Sequence, residues 1–340
     1  MKNQTLLFAI GSAMALSACG GGGGGGSTTS GSVPVQTSTL SPITAANSSR
    51  VASNAYAATI SLGTSASSLT GLLTGASVSS GGIGAVGPVL ALLKHGKGAA
   101  PLLAGVTTSN ACSGGGTVSV DATLRDERTL SNGDVLTYTT KNCSEDGYVL
   151  DGVITITFSS VTNAYLNYTS FNIDSPFDLT IDIRFTNFTI AAASDKLGLS
   201  GDMKIALNHT NVNSNALSVS GKSLQTTTQN GGASLGSRTL ADYTVTASTI
   251  GATTTNAASF SMSGSSAALG QFAYTVKNVQ PFVSTGSATA SNGALIVNGA
   301  ASSVTTTAVG NGVRLDFSAK GDGTITQTNT LGWTEFLASF

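Results

Sequence analysis

The residues able to do chemistry in this 340-residue chain are few and poorly grouped for it: two histidines, His95 and His209, three cysteines, and 16 acids against 15 lysines and arginines. A serine nucleophile needs a neighbouring base, and the chain carries no G-x-S-x-G elbow. His95 stands between Lys94 and Gly96, where an imidazole meets the negative end of a helix. His209 continues the alternation of Leu207 and falls at a strand rim. Asp178 and Asp182 share one strand face about 13 Å apart, too far to share a proton, with Arg184 to balance them. The stretches Ser144–Gly147 and Lys320–Gly323 each offer oxygens but fall short of a calcium loop, and read as ordinary Asp–Gly turns. Gly82–Ile83–Gly84–Ala85–Val86–Gly87 fits G-x-G-x-x-G, yet no buried strand precedes it and no acid follows to hold a ribose, so it reads as a glycine-rich stretch. Only 9% of residues are charged. That leaves no cationic field for a nucleic-acid backbone, and two histidines cannot furnish a multi-histidine metal centre. The expectation is a non-enzymatic protein with no catalytic residue, no cofactor, no metal and no nucleic-acid partner.

The remaining reactive group is Cys19. Lys2 supplies a positive start, Leu6–Leu7–Phe8–Ala9–Ile10 an apolar run too short to span a bilayer, and Leu16–Ser17–Ala18–Cys19 the end. This leader resembles that of bacterial lipoproteins, with Leu16–Cys19 in the place of the lipobox. The resemblance implies cleavage before Cys19, diacylation of its sulfur and a membrane-anchored mature chain. An Asp after the cysteine commonly retains such proteins at the inner membrane. Here Gly20 follows, which implies the outer membrane, on the periplasmic or the surface side. Seven consecutive glycines, Gly20–Gly26, then lead a Ser/Thr-rich run that cannot bury apolar surface and reads as a tether. Several acyl chains make anchoring durable where one would not. In such an oxidising compartment the even pair Cys112 and Cys143 is expected to form a disulfide, its loop contributing roughly 3–4 kcal/mol in the chain-entropy account.

Those features sit on a chain whose composition changes once: all 16 acids lie from Asp121 onward. Before that point the pattern is helical or irregular. Ser41 and Pro42 read as the cap and first position of a short helix through Ala58, and Val86–Lys94 as a second, buried one. From Gly116 the period becomes two. Val118–Leu124, Ile154–Phe158, Phe177–Phe185, Met203–Leu207, Tyr243–Val245, Phe272–Val276 and Val313–Phe317 all alternate, which marks antiparallel sheet buried on one face. The Phe177–Phe185 run slips phase before Phe188, predicting a β-bulge at Thr186–Asn187. Asn–Gly and Asp–Gly pairs, among them Asp146–Gly147, Asp151–Gly152, Asn230–Gly231 and Asn292–Gly293, read as turns. The phrases Leu150–Asp151–Gly152, Leu199–Ser200–Gly201–Asp202 and Val219–Ser220–Gly221–Lys222 echo one another, though at no fixed period.

The resulting division is a leader (1–18), a lipidated cysteine and tether (19–40), short helices with a Gly-rich apolar segment (41–110), and an antiparallel β domain (111–340). The fold class is all-β: one large curved sheet of about 10–13 strands, a half-barrel or roll, with one or two short helices on its concave side. The segment Leu331–Phe340 has the alternating, Phe-terminated pattern of an outer-membrane barrel's closing strand, but its companions are too polar, and Trp333 and Phe336 read instead as an aromatic plug. The expected role is an interaction or structural domain in the cell envelope that meets an envelope macromolecule or glycan. The alternatives are a carrier whose curved sheet and Leu72–Val106 enclose an apolar ligand, and a β-solenoid surface protein.

Overall fold

The structure, a computed structural model, describes residues 39–73, 106–125, 131–162, 176–211, 213–286 and 289–339. The leader, Cys19, the tether, the helix expected at Val86–Lys94, Gly82–Gly87, His95, Phe340 and most of Leu72–Val106 lie outside the described residues. Fourteen strands follow the chain: β1 Val106–Ala111, β2 Thr117–Thr123, β3 Val135–Glu145, β4 Tyr148–Thr162, β5 Phe177–Ala192, β6 Asp195–Asn211 and β7 Ser214–Asn230 come first. After them run β8 Ala233–Ile250, β9 Thr253–Ser266, β10 Gly270–Thr285, β11 Asn292–Gly299, β12 Ser302–Val309, β13 Gly312–Ser318 and β14 Gln327–Gly332. They form one antiparallel sheet in strict sequence order, with β1 and β14 as its edges. This is the all-β, curved open sheet that the alternation predicts, with 14 strands rather than 10–13. It is also not a solenoid, since every strand pairs antiparallel with its neighbour in sequence instead of stacking in coils. The alternating side chains of β2–β13 supply one continuous core, from Val118 through Ile181 and Val245 to Phe317.

Two helices are described, α1 Ser48–Leu73 and α2 Trp333–Ala338. Six consecutive residues of α1, Val51–Tyr56, are buried, which is more than a full helical turn. A flat sheet would cover one side of a helix only. Here β7, β8 and β9, β11, β12 and β13, and α2 all pack on α1, so the sheet wraps round it. The helix is longer than expected and starts later. Ser41 is not its cap: the Ser41 N–H donates to the Ala273 carbonyl and its own carbonyl accepts from Ala300, extending the sheet. The helix turn is instead closed reciprocally by Thr44 and Asn47. The Thr44 N–H donates to Asn47 Oδ1 (2.8 Å) and the Asn47 N–H to Thr44 Oγ1 (3.3 Å), the logic of a capping box. α2 replaces the alternating pattern read at the C-terminus, because Trp333 and Phe336, three apart, both turn inward onto Tyr56, with ring centroids 5.2 and 5.7 Å away.

The bulge expected in β5 is present, with Asn187 at φ +47° between Phe185 and Phe188. It belongs to a row. Registers also shift at Thr140–Cys143 in β3, between Gly201 and Lys204 on β6 against β7, at Ala241–Thr244 in β8 and at Lys277–Phe282 in β10. In β3, β5, β7 and β8 the one extra residue switches the inward parity, so apolar side chains stay on the core on both sides of the row. Bulges bend strands and increase twist, so the row is a crease across the sheet. It also explains the recurring Asp/Gly phrases. Asp151–Gly152 is not a turn but lies inside β4, where a Cβ on Gly152 would sit 2.4 Å from the Asn187 carbonyl oxygen. The Asp151 carboxylate accepts from the N–H of bulged Asn142, and the Asp202 carboxylate from those of Lys222 and Ser223. These carboxylates satisfy N–H groups that the bulges remove from the ladder. Asn292–Gly293 likewise lies at the start of β11 rather than in a turn. Asp146–Gly147 does turn, between β3 and β4, with φ +47° and +85°.

Candidate functional site

Cys112, just past β1, and Cys143, in β3, are joined as a disulfide across 31 residues. The turn Ser113–Gly116 between β1 and β2 is laced to β3 around it: the Gly114 N–H donates to the Ser144 carbonyl and the Ser144 N–H to the Gly115 carbonyl. The Ser113 N–H donates to Glu145 Oε2 at 2.9 Å. Among the described residues, Cys112, Cys143 and Glu145 are the only three metal-ligand types within reach of one another, and the disulfide engages both sulfurs. This knot secures the sheet; it is not a reactive centre.

The other expected polar residues are structural where they are described. His209 is buried rather than at a rim, stacked on Phe177 across the β5–β6 ladder with centroids 4.9 Å apart. Asp182 pairs with Lys204 of the next strand at 3.5 Å and accepts from Ser159. Asp178 accepts from the Asn208 amide and from Thr162 instead. Asp322 accepts from the Thr324 N–H, which holds its carboxyl below the usual range. On the core side, Arg238 reaches inward to Asn54 of α1, and burial lowers its pKa. The Tyr243 hydroxyl donates to the Asp202 carbonyl at 2.6 Å; burial and the Asp202 charge raise its pKa.

The solvent-facing side of β5–β10 carries the feature with binding geometry, an open trough of about 430 Å³. Its floor is two adjacent rows that cross the strands. One runs Asp178, Asn208, Ala216, Ser248 and Thr255, from β5 to β9. The other runs Thr180, Ala206, Ser218, Thr246 and Ala257. Pro281, in the β10 bulge, also lines the trough. The next row toward the crease is taller and charged, with Asp182, Lys204 and, at β10, Lys277. Small floor side chains beside a charged ridge make the hollow. Among its described lining residues there is one carboxylate, Asp178, and no Lys or Arg. Single-strand reading missed the trough because no strand contributes more than three lining residues; the signal lies in the register between strands.

Comparison with known protein families, curated proteins and solved structures finds no match to this chain.

Proposed function

We propose that the protein is a non-enzymatic, lipid-anchored envelope protein, attached through Cys19 to the outer membrane, whose curved sheet presents an interaction surface to another envelope component. The observation that carries the reading is the division of labour between the two faces. Among the described residues, the core-facing side of β7–β9 and β11–β13 is covered by α1, and the buried apolar side chains form one cluster. A carrier would keep that stretch of the sheet for its ligand, which favours interaction over carriage. The solvent-facing side holds the trough.

Attachment also fits. The described chain joins the sheet at Ser41, against Ala273 of β10. The trough lies across the crease, at Pro281 of β10, about six residues further along the regular partner strand β9, roughly 20 Å at the rise of an extended strand. The described chain therefore enters the sheet at the strand ends remote from the trough.

The test is fractionation and intact mass. The wild-type chain is expected with the membranes, its N-terminus at Cys19 carrying acyl mass, and Cys19→Ser in the aqueous fraction. Membrane retention of Cys19→Ser overturns the anchor. A stoichiometric lipid co-purifying with the Cys19→Ser protein overturns interaction in favour of carriage.

A further inference from the structure

We propose that the trough on β5–β9 binds a neutral, linear polysaccharide laid across the strands. The inference deepens the interaction reading and rests on it for the choice of face, but not on the anchor.

The chemistry of the lining selects the ligand. With no lysine or arginine among the described lining residues, the floor has no cation to set against a phosphate or sulfate polymer; on the bordering ridge Lys204 is paired with Asp182, and the Asp178 carboxylate on the floor repels an anion. Its volume falls within the range of small-molecule sites and most of the surface it exposes is apolar, but Leu207 and Leu217 turn their side chains into the core, which leaves alanines, Pro281 and threonine methyls among hydroxyls, one amide and one carboxylate, on a floor too open to take an acyl chain out of water. Such a surface matches a ligand rich in hydroxyls with small apolar faces between them.

Spacing carries the argument further. Along each row successive side chains stand at the distance between strands, about 4.8 Å, so five strands give a floor about 19 Å long. In the second row Thr180, Ser218 and Thr246 present hydroxyls while Ala206 and Ala257 leave gaps between and beyond them. In the first, the Asp178–Asn208 pair stands at one end, with Ser248 and Thr255 at the other. A chain of pyranose rings advances by about one strand spacing per ring and shows alternating hydroxyl edges and C–H faces. An extended peptide crossing at this angle would place its backbone groups over side chains, away from any strand edge, and forfeit ladder hydrogen bonding.

The experiment titrates the full mature chain, and separately the Cys19→Ser chain, with neutral tetra- to hexasaccharides of β-1,4-glucose and of β-1,4-N-acetylglucosamine. A hexa-uronate and a Ser/Thr-rich peptide are the comparison arms, all followed by NMR shifts and calorimetry. The expected result is saturable binding of a neutral glycan by both chains, with shifts at Thr180, Ser218 and Thr246. Ser218→Arg, which fills the floor from the solvent side, should abolish binding with an unchanged melting temperature, and Thr246→Val should weaken it by up to about tenfold, one hydrogen bond's worth. The proposal is overturned if no neutral glycan binds at millimolar concentration, if the uronate or the peptide binds the trough instead, or if a folded Ser218→Arg chain binds as before. Binding by the Cys19→Ser chain with a failed fractionation test would remove the anchor and leave the trough standing.

Discussion

At the β1–β3 end of the sheet, the turn Ser113–Gly116 is fastened to β3 by the Cys112–Cys143 bond and three backbone donors. At the β10–β14 end the fastening is aromatic. Tyr56 of α1 meets Phe282 of β10 edge-on at 5.1 Å and packs on Trp333 and Phe336 of α2. The difference follows from what each end has to bury. The far end surrounds a helix and draws its cohesion from apolar area and ring contacts. The near end includes the polar strand β1, Val-Thr-Thr-Ser-Asn-Ala, and holds it by restricting the unfolded chain.

The largest effect should come from breaking the aromatic end. Phe336→Ala removes a fully buried ring and is expected to cost about 3–5 kcal/mol. Urea unfolding should report it as a shift of the whole transition, since the core is one cluster. A loss under about 1 kcal/mol would mean that α2 is dispensable and the comparison is false.

Next, Cys112→Ser combined with Cys143→Ser is expected to cost about 3–4 kcal/mol for a loop of this length. Hydrogen exchange sharpens the contrast: β1–β3 should lose protection while β11–β13 keep theirs. Equal loss at both ends would show that the knot serves the entire sheet.

The smallest effect is alkaline. Burial pushes the Tyr56 phenol from its ordinary 10.0 up to about 12. Because the folded value is the higher one, this contribution is intact below pH 10 and lost as pH rises from 10 toward 12. It amounts to on the order of 3 kcal/mol at most. Tyr138 and Tyr243, also raised by burial, act in the same direction. Urea midpoints should be flat from pH 7 to 9 and fall above 10, with a shallower fall in Tyr56→Phe. An unchanged slope in that variant would place the alkaline sensitivity elsewhere.

Much of this architecture was legible wherever one face of a strand is buried. Phe177–Phe185 alternates because every second residue faces the core, and its slip at Asn187 could be read for the same reason. The polar strands β1, β12 and β14 show no such contrast in their residue types, and β3, Val135–Glu145, alternates in burial with threonines and a bulge diluting its apolar residues, so the sequence pattern yields fewer strands than the sheet has. Ser41–Pro42 has the chemistry of a helix start, but its backbone groups are engaged by β10 and Ala300, a contact between residues more than 200 apart that local reading cannot anticipate. The glycines of Asp151–Gly152 and Ser200–Gly201 have the local look of turns, whereas in mid-strand they mark close backbone approach at a bulge. The trough was illegible for a different reason. Ala206, Ser218 and Thr246 look like any solvated face until the register sets them side by side.

The strictly sequential strand order has a temporal consequence. A chain delivered from its N-terminus can add each strand to the one just before it, closing only short loops as it goes, the kind of topology that assembles quickly. α1 is the exception. It precedes every described strand, yet its partners include β11–β13 and α2, which follow more than 200 residues later. Folding is thus a zipper with a delayed latch, and the helix stays without its final partners until β11–β13 and α2 have been delivered.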